Sequence, residues 1–127
     1  MVNRKIALAV SVALVLLAYL VFEGGQGSFV REERESAFVE RVVDGDTLVL
    51  RGGQKVRLLG IDAPEVGEYY FNESFERLRS LVEGKEIEME RGMREEDKYG
   101  RLLRYVFVGG ELVNLRLVEE GAANVYV

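Results

Sequence analysis

The chain has 127 residues, which is room for one domain, and a formal net charge of −5. This charge excludes a surface that is basic throughout, the usual surface of nonspecific nucleic-acid binders. The sequence contains no histidine and no cysteine. It therefore has no histidine general base, no Ser–His or Cys–His pair, no disulfide and no ordinary zinc site. Hydrolytic chemistry would have to rely on carboxylates, arginines, hydroxyls and a hard metal ion.

Residues 1–27 are predicted to form a signal anchor or a signal peptide. Arg4 and Lys5 precede an apolar run from Ile6 to Phe22, and acidic residues follow it. The length of the run favours an uncleaved transmembrane helix, while Gly25-Gln26-Gly27 leaves cleavage and secretion open. The basic flank predicts that the rest of the chain lies outside the cell membrane. Residues 28–35 are polar and charged and are interpreted as a linker.

Alternation of apolar and polar residues predicts three strands at the start of the domain, which spans residues 36–127. Asp44-Gly45-Asp46 and Arg51-Gly52-Gly53-Gln54 have the composition of turns between them. The predicted strands are Ala37–Val43, Thr47–Leu50 and Lys55–Ile61.

A helix is predicted next, with Asn72 as its N-cap and Gly84 as its stop. Apolar residues recur at intervals of four, three and four from Phe71 to Val82, which gives one apolar face. This helix separates the first three strands from the remaining two.

The last part of the chain predicts two more strands and a second short helix. Glu86–Glu90 alternates strictly, Arg91–Gly100 is interpreted as a charged loop, and Arg101–Val108 is the fifth strand. Asn114–Glu120 is the helix, closed by Gly121. The order predicts an α+β, mainly β fold, a five-stranded OB-type barrel with two short helices.

A phosphodiester is the substrate that these charged residues would suit. Its hydrolysis puts negative charge on the non-bridging oxygens, which a hard cation and guanidinium groups stabilise. In the absence of histidine, a carboxylate is the natural base for the attacking water. Each feature alone has an ordinary structural interpretation, as a turn, a solvated strand residue or a loop. Together they form an ordered set of acidic residues and arginines near strand ends: Asp44, Asp46, Arg57, Asp62, Glu65 and Arg101.

Four motifs in this order resemble the signature of the staphylococcal nuclease (thermonuclease) family. They are Val43-Asp44-Gly45-Asp46-Thr47, then Val56 to Glu65 with the letters VRLLGIDAPE, then Asp97-Lys98-Tyr99-Gly100-Arg101, and finally Val113-Asn114 with Gly121. The resemblance covers about Phe38 to Val125. It implies an OB-type barrel and calcium-dependent hydrolysis of DNA and RNA to products that carry 3′-phosphates.

The resemblance also implies a role for each matching residue. Asp46 and Asp62 would bind Ca²⁺ through carboxylates, and Ala63, where the family has threonine, through its backbone carbonyl. Glu65 would act on the attacking water, while Arg57 and Arg101 would hold the phosphate. Three further residues complete the set: Lys98 and Tyr99, which match contacts to a terminal phosphate of the substrate, and Asp44, which lies close to the metal.

Three departures from the family pattern qualify this expectation. The segment from Val66 to Asn72 lacks the longer, lysine-rich loop of the family, so weaker polymer binding is expected. The sequence ends at Val127, before a further family helix, which puts the stability of the domain in doubt. Tyr126 matches the family's base-stacking tyrosine only if the alignment shifts by one residue.

Two other functions remain open on the sequence. Domains of this family also occur as noncatalytic modules that bind nucleic acid or protein, although such modules have no need for the full set of acidic residues and arginines. A purely structural, membrane-tethered barrel would leave the clustered charges unexplained, because clustered like charges cost free energy unless a metal or partner offsets them.

Overall fold

A computed structural model describes residues 3–24 and 33–127 and divides the chain into two compact units, Met1–Arg31 and Glu32–Val127. In the first unit, helix α1 spans Arg4–Gly24, and its described side chains are exposed on all sides. Within the described part of the chain, no helix meets the length and hydropathy needed to cross a membrane. The prediction of a transmembrane anchor is therefore not supported. The proposed cleavage site at residues 25–27 and most of the linker lie outside the described residues.

The second unit contains eight strands and two helices. Its elements are β1 (Glu35–Asp44), β2 (Thr47–Leu50), β3 (Lys55–Leu58), β4 (Ile61–Asp62), α2 (Phe71–Val82), β5 (Glu86–Glu96), β6 (Leu102–Val108), β7 (Glu111–Leu112), α3 (Val113–Glu119) and β8 (Asn124–Val125). Five of the strands form a continuous sheet in the order β3-β2-β1-β5-β6. A parallel pairing of β3 with β6 closes this sheet into a barrel. The predicted five-stranded barrel with two short helices is confirmed.

Apolar side chains from the strands and from both helices of this unit fill the barrel. Leu48, Val56, Leu58 and Val106 are fully buried, and Leu78 of α2 joins the same cluster. Burial of this apolar surface is the main favourable term for the fold.

The third predicted strand is interrupted. It ends at Leu58, and Gly60, with φ +72°, turns the chain into the short strand β4. Strand β4 pairs with β8 rather than with the barrel, so Ile61 lies opposite Val125 and Asp62 lies opposite Asn124. This β4–β8 ribbon fixes the end of the chain beside the loop that follows the third strand.

Two other boundary predictions were wrong. Asn72 is inside α2, because the helix begins at Phe71, which stacks on Phe75, and Tyr70 occupies the cap position without a side-chain hydrogen bond. The predicted charged loop from Arg91 is mostly strand, since β5 continues to Glu96. Backbone pairing with β6 holds this charged stretch in the sheet, while most of its side chains face solvent.

Candidate active site

The turn between β1 and β2 places Asp46 at the centre of the candidate site. The backbone N–H of Asp46 donates to Asp44 Oδ1 at 3.0 Å, which fixes the turn. Gly45 lies so close to Ala63 that an added Cβ would stand 2.6 Å from the Ala63 Cβ and 2.8 Å from the Ser74 Cβ. Only glycine fits this approach, and it brings the Asp46 carboxylate against the chain after β4.

Asp46 is 5% exposed, and hydrogen bonds engage both oxygens of its carboxylate. The Thr47 hydroxyl donates to Oδ1 at 3.0 Å, and the Ala63 N–H donates to Oδ2 at 2.8 Å. These contacts tie the β1–β2 turn to the Asp62-Ala63 segment. Two separate predicted motifs therefore meet in space.

Arg57, in β3, lies between the two predicted metal-binding carboxylates. Its Nη2 is 3.2 Å from Asp46 Oδ2 and 3.4 Å from Asp62 Oδ1. Its Nη1 donates to the backbone carbonyls of Leu58 at 2.7 Å and Ile61 at 2.8 Å. The guanidinium group is thus fixed in orientation at the turn between β3 and β4.

Burial raises the pKa of Asp46 to about 6, and the hydrogen bond and charge of Asp44 act in the same direction. The Ala63 N–H and the Arg57 guanidinium oppose this rise but do not cancel it. Burial in the barrel therefore disfavours the ionised form of Asp46 more than its hydrogen-bond and ion-pair partners favour it. Asp44, Asp46 and Asp62 carry three negative charges when ionised, against one positive charge on Arg57.

The oxygen donors at this site are the Asp46 and Asp62 carboxylates and the Ala63 backbone carbonyl, so a bound hard divalent cation would need water to complete its shell. Carboxylate and carbonyl oxygens are the donors that Ca²⁺ prefers, and a bound cation would favour the ionised form of Asp46 against the effect of burial. Asp62 is 60% exposed at its side chain, so one ligand faces solvent. Residues 3–24 and 33–127 contain no cluster of three or more acidic side chains placed to surround a metal ion.

Closure of the barrel forms a cavity next to this carboxylate cluster. The parallel pairing sets Arg57 opposite Leu103, so the start of β6 and Arg101 lie beside β3. The resulting arginine cavity has a volume of about 390 Å³, and its lining includes Arg57, Arg94, Asp97, Arg101 and Tyr126. Such a volume is at the lower end of the range for small-ligand sites.

Arg101 is held in this cavity by Asp97. The Asp97 Oδ2 accepts a hydrogen bond from Arg101 Nε at 2.6 Å, and its Oδ1 accepts from the backbone N–H groups of Tyr99 and Arg101. Desolvation raises the pKa of Asp97, but the hydrogen bonds from Arg101 and Tyr99 outweigh it and lower that pKa below its usual value. Asp97 stays ionised and orients the guanidinium group.

Glu65 lies apart from this cluster, and Lys98 and Tyr99 lie at its edge, where the Tyr99 ring centre is 5.3 Å from the Arg101 guanidinium carbon. Glu65 is exposed, and within the described ranges its carboxylate makes no hydrogen bond or ion pair with Asp46, Arg57 or Arg101. Lys98 and Tyr99 are exposed on the turn before β6, where the Lys98 Nζ is 5.0 Å from the centre of the Tyr99 ring. They do not line the arginine cavity.

Two residues that the sequence did not single out shape the cavity. Arg94 lines it because β5 continues past Arg91, and the strand pattern gave no sign of this extension. Arg104 is 1% exposed and donates to the Glu95 carbonyl at 2.9 Å and to the Glu95 and Glu35 carboxylates. It holds the end of β5 in place.

Asn114, which belongs to the fourth motif, supports the cavity from behind. Its Nδ2 donates to the Leu59 carbonyl at 2.9 Å, and its Oδ1 accepts from the Val106 N–H at 2.9 Å. It thereby joins α3, β6 and the chain after β3. Asparagine is suited to this place because it both donates and accepts.

Several known proteins are similar to this chain in sequence. The family described as staphylococcal nuclease homologue matches residues 55–127. The thermonuclease of Staphylococcus intermedius is 32% identical over 135 aligned residues, which cover 94% of this chain and 80% of that protein. The thermonuclease of Staphylococcus hyicus is 30% identical, and the alignment covers 91% of this chain and 77% of that protein. An uncharacterized endonuclease of Haemophilus influenzae is 34% identical, with 99% and 67% covered. This chain belongs to the staphylococcal nuclease family.

Proposed function

We propose that the barrel is a calcium-dependent nuclease that hydrolyses phosphodiester bonds of DNA and RNA and leaves 3′-phosphates. The observation that carries this proposal is the meeting of Asp46, Asp62 and Arg57 beside a cavity that Arg101 also lines. The names of the thermonuclease and endonuclease relatives support the same reaction class.

Arg57 and Arg101 are proposed to hold the scissile phosphate. Guanidinium groups bind phosphate oxygens in pairs and stabilise the charge that builds up when water attacks phosphorus. Asp97 keeps Arg101 in position, and the Leu58 and Ile61 carbonyls keep Arg57 in position. Because both groups are held before substrate arrives, little reorganisation is needed in the transition state.

Asp46, Asp62 and the Ala63 carbonyl are proposed to hold Ca²⁺, with Asp44 supporting the Asp46 turn. When bound, Ca²⁺ would supply positive charge against the phosphate oxygens and help to place the attacking water. Glu65 is proposed to take the proton of that water or to orient it. Lys98 and Tyr99 are proposed to contact a terminal phosphate at the exposed turn.

Arg94 is proposed as an additional phosphate-binding residue in the arginine cavity. Arg57 has carboxylate partners in Asp46 and Asp62, and Arg101 has one in Asp97. Arg94 is exposed and makes no ion pair with any residue that the structure describes. It therefore adds positive charge that a bound strand can use, in a chain that lacks the lysine-rich loop.

The direct experiment is digestion of single-stranded DNA and of RNA by the purified chain, with Ca²⁺ and with a chelator. We expect cleavage that requires Ca²⁺ and products that a 3′-phosphatase converts to 3′-hydroxyl ends. Binding without cleavage under all conditions would instead identify a noncatalytic binding module. Neither binding nor cleavage would leave a structural role.

We also propose that the nuclease acts outside the cytoplasm. The basic Arg4 and Lys5 before an apolar helical segment, all of whose described side chains are exposed, support export. Fractionation of expressing cells, followed by protease treatment of intact cells, tests this location. Protein found only in the cytoplasmic fraction would contradict it, and a shortened form in the medium would identify cleavage and secretion.

A further inference from the structure

A second cavity lies beside the candidate active site, and none of the assigned roles uses it. This tyrosine cavity has a volume of about 380 Å³, and its lining includes Pro64, Tyr69, Tyr70, Ala122, Ala123 and Asn124. Tyr69 is 92% exposed and Tyr70 is 41% exposed. Because the two rings are adjacent, they form one exposed aromatic patch, the kind of surface that marks binding sites, rather than scattered exposed residues.

The two tyrosines are held next to each other at the loop that leads into α2. Their ring centres are 6.1 Å apart and their planes differ by 39°. Tyr70 has φ +69°, and among the described residues it is the one non-glycine with positive φ. This conformation is costly for a tyrosine and is typical of functional loops.

The β4–β8 ribbon connects the two cavities. Gly60, Ile61 and Tyr126 line the arginine cavity at one end of the ribbon, whereas Pro64, Ala123 and Asn124 line the tyrosine cavity at the other. Asp62 and Asn124 form a cross-strand pair between these ends. From Ile61 in the lining of the arginine cavity to Pro64 in the lining of the tyrosine cavity is three residue steps, about 10 Å of extended chain.

The chemistry of the tyrosine cavity suits a base rather than a phosphate. None of the side chains that line it is charged, while Asn124 offers an amide and the tyrosines offer aromatic faces. Single-stranded nucleic acids bind where aromatic side chains stack on bases beside a positively charged site. The arginine cavity supplies that positive charge.

We propose that the tyrosine cavity binds a nucleobase of the substrate strand, one or two nucleotides from the phosphate in the arginine cavity, by stacking on Tyr69 and Tyr70. This inference rests on the proposed nuclease function and extends it to a preference for single strands. A base that is paired and stacked in a duplex cannot enter the cavity. The loop that lacks lysines thus contributes base stacking instead of phosphate contacts.

Affinity measurements on the full chain test the subsite without any need for cleavage. Fluorescence anisotropy in chelator compares a short single-stranded DNA with the same sugar-phosphate chain made of abasic nucleotides. We expect Tyr69→Ala to weaken binding of the normal strand roughly 5- to 150-fold, the range for loss of one stacked base. Tyr69→Phe should keep most of the affinity, since it keeps the aromatic face.

Val66→Ala is the matched control, because Val66 is 81% exposed on the same loop but does not line the tyrosine cavity. It should bind like the parent protein. The abasic strand should bind the parent weakly and should lose nothing further in Tyr69→Ala. Equal affinities of the parent and Tyr69→Ala for the normal strand would overturn the proposal. A loss of affinity in Tyr69→Ala that is as large for the abasic strand would do the same, and so would a parent protein that binds neither strand.

A substrate without a nucleobase tests the nuclease proposal independently of the base subsite. Hydrolysis of a small chromogenic phosphodiester in Ca²⁺ should be the same in Tyr69→Ala and in the parent. If the parent hydrolyses neither this diester nor DNA, the nuclease proposal fails, while the binding comparison still decides the base subsite.

Discussion

The candidate active site has a half that is built into the barrel and a half that lies on a loop. In the barrel half, Asp46 and Arg57 are largely buried, and each makes several contacts with backbone atoms and charged groups. In the loop half, Glu65 and Tyr69 are exposed. The groups proposed to position phosphate and metal are therefore part of the fold, whereas the groups proposed to act on water and base lie on an exposed loop, where substitutions should cost little stability.

Glu65→Gln should give the largest separation between activity and stability. Loss of a general base lowers rates about 10²- to 10⁴-fold, and an exposed carboxylate contributes little to folding. We expect a drop of that size in single-stranded DNA hydrolysis with an unchanged free energy of unfolding. Rate assays and urea unfolding in Ca²⁺ check this. A variant that cleaves at the parent rate would show that Glu65 does not act on the water.

Arg101→Ala should lower the cleavage rate about 10²- to 10³-fold, the usual effect of removing one group that stabilises transition-state charge. Arg101 is partly exposed, so its loss should change folding much less than activity. Asp97→Asn tests the positioning role, because it keeps Arg101 but removes the charge that orients it. We expect a smaller loss for Asp97→Asn, and no loss at all would show that Arg101 does not depend on Asp97 for its orientation.

The pH dependence of stability should reveal Asp46. Its pKa is raised from 3.8 to about 6 in the folded state, so its contribution to stability is complete below about pH 4 and is lost as the pH rises through 6. In chelator, the free energy of unfolding should fall by about 1 kcal/mol between roughly pH 5 and 7. The chain has no histidine, so no ordinary side-chain pKa lies in this range.

Asp46→Asn is the control for this pH effect. In this variant, the free energy of unfolding should no longer fall between roughly pH 5 and 7. Ca²⁺ should also no longer stabilise the protein. Ca²⁺ itself should reduce the decline in the parent, since it favours the ionised carboxylate. If the free energy of unfolding of Asp46→Asn fell by the same amount, a group other than Asp46 would be responsible for the pH dependence.

Gly45→Ala tests whether the barrel half depends on close packing. The new Cβ would meet the Cβ atoms of Ala63 and Ser74 at 2.6 and 2.8 Å, and such overpacking costs about 1–3 kcal/mol. We expect a loss of stability of that size and weaker stabilisation by Ca²⁺ in thermal unfolding. Gly92→Ala is the control, because its Cβ would meet only the flexible end of Leu59. A cost for Gly92→Ala as large as that for Gly45→Ala would contradict the argument.

Arg94→Ala should have the smallest effect. Removal of one phosphate contact should weaken single-stranded DNA binding and reduce the slope of log affinity against log salt by about 0.7. Arg91→Ala removes the same charge from the same strand, but Arg91 pairs with Glu95 at 3.1 Å and does not line the arginine cavity. Anisotropy titrations at several salt concentrations should separate the two variants. Equal salt-dependence slopes in the two variants would show that Arg94 does not contact a phosphate of the bound strand.

The sequence predicted much of the local structure, and its errors occur where contacts between distant segments decide. The alternation of apolar residues gave the five barrel strands, and helical spacing gave α2 and α3. The N-cap at Asn72 was wrong because the helix begins at Phe71 with Tyr70 in the cap position, where no side-chain hydrogen bond marks its start. The extension of β5 to Glu96 was missed because a charged, solvated stretch has the composition of a loop until a neighbouring strand pairs with it.

The sequence by itself determined the kind of chemistry available. The absence of histidine leaves carboxylates, arginines, hydroxyls and a hard metal ion for hydrolytic chemistry. The four motifs predict the residues that would carry it: Asp46, Arg57, Asp62, Glu65 and Arg101. Only the tertiary structure decided which of these groups meet. The β3–β6 pairing brings Arg57 and Arg101 to one cavity, and the β4–β8 ribbon brings Tyr126 to the same place. Such pairings depend on the curvature of the whole sheet, which local sequence patterns do not encode.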